Sequence, residues 1–317
     1  MHSFAGSLNV AEAQRKNPAF PKVLVIAGST GTGKSRLAVK LAHLLHGEVI
    51  SGDSMQVYRG MDIGTAKITK EEMQGIPHHL LDICNPADPY DVRQFQILAR
   101  SKISEIAGRG HLPILCGGTG LYLKAALYDY VFEEQPEDEE LRTRLEAMET
   151  GELHALLEKQ DPDSARQIHP NNRKRVIRAL MIAASGKPKS QREKEQRHEP
   201  LYDVFWLGLR KQDNDPLLLE RIRQMDEAGL EEEVRSLFHD PESWKTTAFQ
   251  GIGYKEWKPC LQGVSTREEV LEQIFIHTRQ YARRQRTWFT RQLPMQWYEP
   301  DQDEQIEQDV KRWLNDK

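Results

Sequence analysis

The sequence predicts an α/β fold in which a parallel sheet carries helices on its faces and an all-helical segment interrupts the chain. Two observations carry this prediction. Short β-branched apolar runs alternate with segments of helical spacing as far as residue 127, which is the pattern of an open parallel sheet. Beyond that point helical patterns continue, but no convincing strand occurs until Val204–Leu209.

The elements follow one another in the order that crossover connections require. The predicted strands are Lys22–Ala27, Glu48–Ser51, Leu112–Cys116 and Val204–Leu209. The predicted helices between the first three strands and after them are Lys34–His46, Val92–Gly108 and Leu121–Leu127. Further helical patterns cover 138–149, 151–160, 172–185, 214–239 and 266–292, and the charged segment 299–317 predicts a surface helix.

These patterns divide the chain into four regions. Residues 1–20 lack periodicity and are expected to form a flexible leader. Residues 21–130 are expected to form the first part of the core, 131–199 the helical insertion, and 200–317 the completion of the core with its final helices. A chain of 317 residues can bury a large core without disulfides or a structural metal.

Charge is distributed unevenly along the chain. The total of 44 basic and 48 acidic residues, a net charge of −4, argues against a wholly basic nucleic-acid coat protein. However, residues 171–197 carry 9 basic and 2 acidic side chains, and five arginines without any acid lie between Thr278 and Arg291. One such block can be a solvated helix face, but two blocks interleaved with Tyr281, Trp288 and Phe289 favour a polyanionic partner.

The composition also limits the compartment. No run approaches the roughly 18 apolar residues of a membrane-spanning helix, so no membrane partner is expected. The three cysteines are odd in number and far apart in sequence, which fits a reducing compartment and predicts a cytoplasmic protein.

A phosphate-binding loop follows the first predicted strand. It consists of Gly28, Ser29, Thr30, Gly31, Thr32, Gly33, Lys34 and Ser35, which match the pattern G-x-x-x-x-G-K-[ST] between a strand and a helix. Glycines allow backbone amides to surround phosphate oxygens at a helix N-terminus. Lys34 would reach the terminal phosphates, and the Ser35 hydroxyl is the candidate ligand for Mg²⁺. The motif therefore indicates a P-loop, kinase-like core.

The acid that an ordinary P-loop ATPase places at the end of a second core strand is missing here. The strand that ends at Cys116 continues into Gly117-Gly118-Thr119-Gly120. Asp53, which follows the strand ending at Ser51, is the nearest substitute, and strand ends share one edge of a parallel sheet. Asp53 is therefore a candidate metal ligand or general base, although an aspartate in a strand-end turn is an equally good interpretation of its position alone.

Several segments combine into a family resemblance. They are the phosphate loop, the fifteen-residue block Asp53–Lys67, Gly75–Asp82, Gly117–Tyr122, His169–Asn172, Gly251–Tyr254 and Tyr281–Phe289. In this order they closely resemble the bacterial tRNA dimethylallyltransferase (tRNA isopentenyltransferase) family over about residues 21–298. The block from Asp53 to Lys67 is far more specific than the phosphate loop.

The resemblance implies an enzyme that transfers the dimethylallyl group of dimethylallyl diphosphate to N6 of adenosine 37 in tRNAs reading codons that start with U. It implies that diphosphate is released with Mg²⁺, that Thr30–Ser35 grip the diphosphate, and that Asp53 takes the proton from N6. The catalytic set is then Asp53, Thr30, Lys34 and an arginine of the segment 221–230. This segment is shorter than the family pattern, so the choice between Arg221 and Arg223 is ambiguous, and Arg221 is favoured.

The resemblance also implies contacts with the tRNA anticodon stem-loop. The matching positions are Asp53, Ser54, Met55 and Gln56, then Thr119 and Arg142, then Lys174, Arg175, Val176, Ile177 and Arg178, then Gln250, Gly251, Ile252, Gly253, Tyr254 and Lys255, and finally Arg283, Arg284, Gln285 and Arg286 within 283–290. The active form is expected to be a monomer.

Three other functions are compatible with parts of the pattern. A nucleotide or metabolite kinase would turn over ATP without RNA, an RNA-binding ATPase would release phosphate without alkylation, and an adenylate isopentenyltransferase would act on free nucleotides. The absent strand-end acid disfavours the kinase, and the basic blocks disfavour an enzyme that needs no RNA.

Overall fold

The computed structural model describes residues 20–132, 138–211 and 214–316, so residues 1–19 of the expected leader lie outside the described range. By their contacts the described residues form two compact units. One unit contains the chain up to Tyr128 and from Pro200 onward, and the other is Asp129–Glu199. Each unit has its own buried apolar core.

The larger unit is built on a sheet in which all neighbouring strands are parallel. Its spatial order is β3-β2-β4-β1-β5-β6, so that Leu24 of the central strand pairs with both Ile114 and Phe205. In chain order the strands are β1 Lys22–Gly28, β2 Gly47–Ser51, β3 His78–His79, β4 Leu112–Gly117, β5 Asp203–Leu209 and β6 Gln296–Tyr298. The predicted parallel α/β core is confirmed, and the edge strands β3 and β6 are too short to leave a sequence pattern.

Helices cover both faces of the sheet, which explains why its central strands are continuously apolar. The helices before the insertion are α1 Lys34–Leu45, α2 Lys70–Met73, α3 Val92–Gly108 and α4 Gly120–Leu127. Helix α3 begins where the sequence predicts because Asp91 and Gln94 form a capping box, each side chain accepting the other's backbone amide.

The unit Asp129–Glu199 consists, in its described residues, of helices and the segments that connect them. Its helices are α5 Glu139–Ala147, α6 Thr150–Gln160, α7 Pro162–Gln167, α8 Arg173–Ala184 and α9 Lys189–Glu195. Asp161 lies between α6 and α7 and links both to α9. Its buried carboxylate accepts hydrogen bonds from Ser164 at the start of α7 and from the Ser190 amide of α9. Burial opposes ionisation, but these hydrogen bonds outweigh it and lower the pKa of Asp161 to about 2.

The chain then completes the sheet and ends in helices. These are α10 Asp215–Glu227, α11 Leu230–Leu237, α12 Lys258–Leu261, α13 Arg267–Gln292 and α14 Asp303–Asn315. The pattern over 214–239 is divided into two helices at Gly229, whose φ is +93°. The expected surface helix at the end is α14, but Ile306 and Val310 are fully buried in the core, so one of its faces covers the sheet. Within the described residues, no helix combines the length and the apolar character needed to cross a bilayer.

Candidate active site

The phosphate loop connects β1 to α1 in the conformation that its motif predicts. Gly31 and Gly33 have φ values of +80° and +87°, which favour glycine. The Lys34 Nζ and the Thr32 hydroxyl both donate to the Ser29 carbonyl, at 2.7 and 2.9 Å. These bonds hold a compact turn at the carboxyl end of the central strand and lead it into the N-terminus of α1.

A close approach of β2 and β4 brings Asp53 to the same edge of the sheet. The Gly52 amide donates to the Cys116 carbonyl at 2.7 Å, and the Thr119 amide donates to the Gly52 carbonyl at 3.3 Å. A Cβ atom at Gly117 would lie 2.4 Å from the Gly52 backbone, so this position cannot carry a side chain without a shift of the strand ends.

Asp53 is oriented by its own turn. Its Oδ1 accepts the amides of Met55 at 2.8 Å and of Gln56 at 3.4 Å, which forms an Asx turn. Thr119 supports the turn, because its hydroxyl oxygen accepts the Ser54 amide at 3.2 Å. No hydrogen bond from a described residue engages Oδ2, and this oxygen is therefore available to a ligand.

The phosphate loop and Asp53 line one cavity of about 160 Å³. Its remaining walls come from the loop after β2, the end of β4, the helices α10 and α13, and the loop before α12. The lining residues are Thr30, Lys34, Ser35, Asp53, Met55, Gln56, Gly64, Thr65, Ala66, Cys116, Gly117, Gly118, Leu218, Arg221, Ile222, Met225, Ile252, Gly253, Ile274, Thr278, Tyr281 and Gln285. We call it the central cavity.

Burial shapes the electrostatics of the central cavity. It lowers the pKa of Lys34 to about 8, and the nearby Arg221 adds to this effect while Asp53 opposes it. Burial also lowers the pKa of Arg221, again against the opposing effect of Asp53. The two cations are thus held in a site of low polarity where an anionic ligand would restore favourable charge pairing. Burial raises the pKa of the Cys116 thiol to about 11, so this cysteine is a neutral part of the wall.

The structure separates the two candidate arginines of α10. Arg221 lines the central cavity, where its Nη2 donates to the Thr65 carbonyl at 3.3 Å. Arg223 instead forms surface ion pairs with Glu220 and Glu227. Of the two, Arg221 is the one that lies with Lys34 and Asp53.

Gln285 of α13 connects the phosphate loop to the end of β4. Only 6% of its surface is exposed, its Oε1 accepts the Thr30 amide at 3.2 Å, and its Nε2 donates to the Gly118 carbonyl at 2.8 Å. Both polar ends of the side chain are therefore engaged within the protein. In this structure the side chain therefore supports the phosphate loop, and its contact with tRNA stays a prediction.

The other predicted RNA-binding residues of the larger unit fall into three groups. Met55, Gln56, Ile252 and Gly253 line the central cavity with Asp53, and Gly251 lies beside them against Met55. Tyr254 is fully buried, which removes its ring from any surface contact. The exposed set is Gln250, Arg283, Arg284 and Arg286, while Lys255 lies beside Glu256 with its Nζ 3.9 Å from the carboxylate. Arg283 and Arg286 also line a second cavity of about 180 Å³ together with Ser29, Lys211 and Arg279.

The predicted residues of the helical unit divide in the same way. Lys174, Arg175 and Arg178 of α8 are exposed, and Arg142 of α5 is half-buried near Glu139. Val176 and Ile177 were expected to contact tRNA, but helical periodicity turns both side chains into the core of this unit, where 0% and 9% of their surfaces are exposed. Contact between this segment and tRNA therefore stays a prediction, carried by its exposed side chains.

Sequence reasoning missed part of the cavity wall. Ile274, Thr278 and Tyr281 lie on one face of α13, and Thr65 and Ala66 lie in the loop after β2. The residues 64–67 belong to the specific block of the family resemblance, which was the available signal for that loop. Tyr281 likewise begins the segment Tyr281–Phe289 of the resemblance. Ile274 and Thr278 had no such signal, because the apolar spacing of α13 is equally typical of core packing.

This fold and cavity define a P-loop enzyme in which the phosphate-binding loop faces an aspartate supplied by β2 instead of an acid at the end of β4. The family models that match the chain are described as IPP transferase, over residues 56–292, and isopentenyl transferase, over residues 21–85. Since the first match covers more than half of the chain, the chain belongs to the IPP transferase family.

Individual relatives agree with this assignment. A tRNA dimethylallyltransferase of Geobacillus kaustophilus is 49% identical over 286 residues, covering 88% of this chain and 90% of the relative. The tRNA dimethylallyltransferase of Bacillus subtilis is 46% identical over 286 residues, covering 87% and 90%. The crystal structure of a tRNA isopentenylpyrophosphate transferase from Bacillus halodurans matches with 40% identity and a TM-score of 0.70, covering 92% of this chain and 96% of that one. A eukaryotic dimethylallyltransferase acting on tRNA matches with 32% identity and a TM-score of 0.78, covering 92% and 77%.

Proposed function

We propose that this chain transfers the dimethylallyl group from dimethylallyl diphosphate to N6 of adenosine 37 in tRNAs that read codons starting with U. The observation that carries the proposal is the central cavity, because it places the phosphate-gripping Lys34 and the buried Arg221 in the same space as the carboxylate of Asp53. The names of the relatives, tRNA dimethylallyltransferases at 46–49% identity, supply the donor group and the class of acceptor.

In the proposed reaction the bond between C1 of the donor and its diphosphate oxygen breaks, and a bond between N6 of adenosine and C1 forms. The N6 proton passes to the free Oδ2 of Asp53, and diphosphate leaves. An aryl amine is a poor nucleophile because its lone pair is delocalised, so alignment and proton removal both lower the barrier. The Asx turn of Asp53 supports this role, since it fixes the carboxylate and leaves one oxygen unoccupied.

Negative charge builds on the leaving diphosphate, and the cavity contains groups suited to it. Thr30 and Lys34 belong to the phosphate loop, and Arg221 approaches from α10. Diphosphate would raise the pKa of Lys34 again by charge pairing, so that the lysine is protonated in the complex. Preorganised charges in a buried site stabilise a developing anion more than the same charges in water do.

The oxygen ligands of this cavity fit Mg²⁺. Among the described residues, no three His, Cys, Asp or Glu side chains converge to hold a metal by themselves. Mg²⁺ commonly binds through one or two protein oxygens together with substrate phosphates, and the Ser35 hydroxyl lines the central cavity at the phosphate loop. When bound, Mg²⁺ would neutralise charge on the diphosphate oxygens.

The base of adenosine 37 must leave its stack to reach the cavity, and this requires a surface that holds the surrounding RNA backbone. On the larger unit, the exposed Arg283, Arg284 and Arg286 supply positive charge for such a surface. The helical unit has exposed cations of its own, Lys174, Arg175 and Arg178.

The test uses labelled dimethylallyl diphosphate with Mg²⁺ and three acceptors: a tRNA transcript with A36 and A37, the same transcript with guanosine at position 37, and AMP. We expect label in the first alone. Label in AMP would indicate a free-nucleotide prenyltransferase, and transcripts that differ at position 36 test the codon preference.

A parallel assay with ATP and no prenyl donor checks the kinase alternative, for which we expect no turnover. Absence of label from all three acceptors would reject prenyl transfer.

A further inference from the structure

Glu233 of α11 lies outside the cavity wall, yet its carboxylate accepts four hydrogen bonds. Its Oε2 accepts the backbone amides of Asp62 at 2.9 Å and of Ile63 at 2.7 Å. Its Oε1 accepts the Gly64 amide at 3.0 Å and the Tyr254 hydroxyl at 2.7 Å. One side chain therefore accepts hydrogen bonds from three consecutive amides of the loop after β2 and from a hydroxyl of the loop before α12.

A carboxylate is the side-chain group that satisfies this arrangement. Each oxygen accepts two donors, and among the described residues no cation forms an ion pair with Glu233. A glutamine at this position would keep one accepting oxygen but would direct its NH₂ group at donors on the other side. In either orientation at least one half-buried backbone amide, of Ile63 or of Gly64, would then lose its acceptor, so the amide is not a conservative replacement here.

The three amides belong to the loop that forms one wall of the central cavity. The residues that follow, Thr65 and Ala66, line the cavity together with Gly64. The Thr65 carbonyl accepts two hydrogen bonds of 3.3 Å each, one from Gln56 Nε2 and one from Arg221 Nη2. This single carbonyl therefore contacts one residue proposed for each substrate, because Gln56 is among the positions with an implied contact to tRNA and Arg221 is proposed to bind the diphosphate.

Tyr254 supports the same loop from behind. Its ring is fully buried, and a Cβ atom at Gly64 would lie 2.6–2.8 Å from ring atoms of Tyr254, so the loop rests directly on the ring. Burial raises the pKa of Tyr254 far above its usual value, and the Glu233 carboxylate adds to this effect, which keeps the hydroxyl protonated as a donor. The adjacent Ile252 and Gly253 line the cavity, so Glu233 joins two separate parts of its wall.

We propose that Glu233 is a positioning residue: by holding residues 62–64 it places the Thr65 carbonyl, and through that carbonyl it aligns Arg221 with the donor diphosphate and Gln56 with the acceptor base. This inference rests on the proposed function, which brings a prenyl diphosphate and an adenosine base together in the central cavity. An error of about 1 Å in such alignment is enough to slow a reaction by about a hundredfold.

The test compares Glu233→Gln with Glu232→Gln, the same chemical change at an exposed neighbouring residue of α11. Steady-state prenyl transfer is measured for both substrates, with the folded fraction of each protein determined by circular dichroism and thermal unfolding. For Glu233→Gln we expect kcat/KM to fall by about ten- to a hundredfold, with a higher KM for dimethylallyl diphosphate, because Arg221 is displaced. Glu232→Gln should match the unmodified protein.

A second variant and a binding measurement distinguish a positioning role from a purely structural one. Tyr254→Phe removes one of the four donors and leaves the amides in place, so it should fold and show a smaller change in the same direction, about two- to fivefold. Inorganic diphosphate binding, measured by calorimetry, tests the Arg221 side without turnover and should weaken in Glu233→Gln.

Unchanged kinetic constants per folded molecule in Glu233→Gln, or in Tyr254→Phe where Glu233→Gln does not fold, would overturn the inference, because a purely structural role lowers only the folded fraction. Failure of the unmodified protein to transfer the prenyl group would reject the proposed function instead. In that case, the diphosphate measurement still decides whether Glu233 places Arg221.

Discussion

At the scale of single residues, Asp53 combines a fixed orientation with a free oxygen. Its Oδ1 is occupied by the amides of Met55 and Gln56, while Oδ2 is available. The turn explains how the carboxylate would be oriented for the proposed role as base, since backbone amides hold it in place. A substitution that keeps the turn but cannot accept a proton therefore distinguishes the orientation of this side chain from its proposed role in proton transfer.

Asp53→Asn keeps an oxygen that can accept the two amides but cannot take a proton. We expect the prenyl transfer rate to fall by about 10²- to 10⁴-fold, a typical contribution of general base catalysis, while the Kd for tRNA stays within about twofold. Single-turnover transfer of labelled donor and a filter-binding assay measure the two quantities. A variant that retains most of its transfer rate would show that another group takes the proton.

Lys34 predicts a pH dependence of diphosphate binding. Burial lowers its pKa to about 8, so in the free protein the ammonium form is present below this pH and is lost above it. The affinity for inorganic diphosphate should therefore fall as the pH rises through about 8, by up to about tenfold for each pH unit above it. Calorimetry on both sides of pH 8 measures the change. Lys34→Gln is the control, because the ionisation of diphosphate itself affects both proteins equally. An identical pH profile in the two proteins would contradict the assignment.

At the scale of elements, the site depends on the short distance between the carboxyl ends of β2 and β4. Gly117 has no room for a side chain because a Cβ would lie 2.4 Å from the Gly52 backbone. This approach places Asp53, which follows Gly52, opposite the phosphate loop. The geometry of the site is thus built into the sheet before any functional side chain contributes.

Gly117→Ala should therefore damage both stability and activity. We expect the free energy of unfolding to fall by about 1–3 kcal/mol from overpacking, with a loss of prenyl transfer that exceeds the loss of folded protein. Gly108→Ala, at the end of α3, is the matched control because a Cβ added there would meet no neighbouring group within 4 Å, and it should be neutral or slightly stabilising. Chemical denaturation and single-turnover assays measure the pair. Equal effects of the two substitutions would contradict the argument.

Helix α13 supports the phosphate loop through Gln285. Gln285→Ala removes the partner of the Thr30 amide and of the Gly118 carbonyl, which should cost about 1–3 kcal/mol of stability and weaken diphosphate binding. If Gln285 acts chiefly on RNA, the Kd for tRNA will change instead. Gln280→Ala, at an exposed position of the same helix, is the control. Calorimetry with diphosphate and filter binding with tRNA distinguish the two roles.

At the scale of the whole molecule, the buried carboxylate of Glu48 links β2 to β3 and to the segment between α3 and β4. Glu48 of β2 is 4% exposed and accepts hydrogen bonds from His79 of β3, from Arg109 after α3 and from His111 before β4. Burial alone would raise its pKa, but Arg109, His79 and His111 outweigh this effect and lower the pKa to about 2. The cluster therefore stabilises the folded state only while Glu48 is ionised.

The stability of the protein should respond to acid through Glu48. Its folded pKa of about 2 lies below the usual 4.5, so its contribution is complete above pH 4.5 and is lost as the pH falls toward 2. Glu48→Gln should be less stable at neutral pH by about 1–3 kcal/mol and should show a shallower loss in acid. Urea unfolding at a series of pH values measures both slopes. Parallel curves for the two proteins would contradict the role of Glu48.

Local signals were sufficient for most elements. The phosphate loop, the four longer strands and the long helices have patterns that extend over consecutive residues, and a capping box fixes the start of α3. The short strands β3 and β6 carried no such pattern because two or three residues cannot show a period. The buried face of α14 was missed because its charged composition dominates the segment.

The sequence by itself determined the α/β class, the phosphate loop and Asp53 as the leading candidate for the reaction, since each depends on residues that are neighbours in the chain. Only the tertiary structure showed that Arg221, and not Arg223, lines the central cavity. It also buried Val176 and Ile177. It joined Glu233 to residues 62–64 and to Tyr254. Those outcomes depend on which helix faces pack against distant loops. Local periodicity specifies that a face is buried, but the partner it is buried against is selected by the packing of the whole chain.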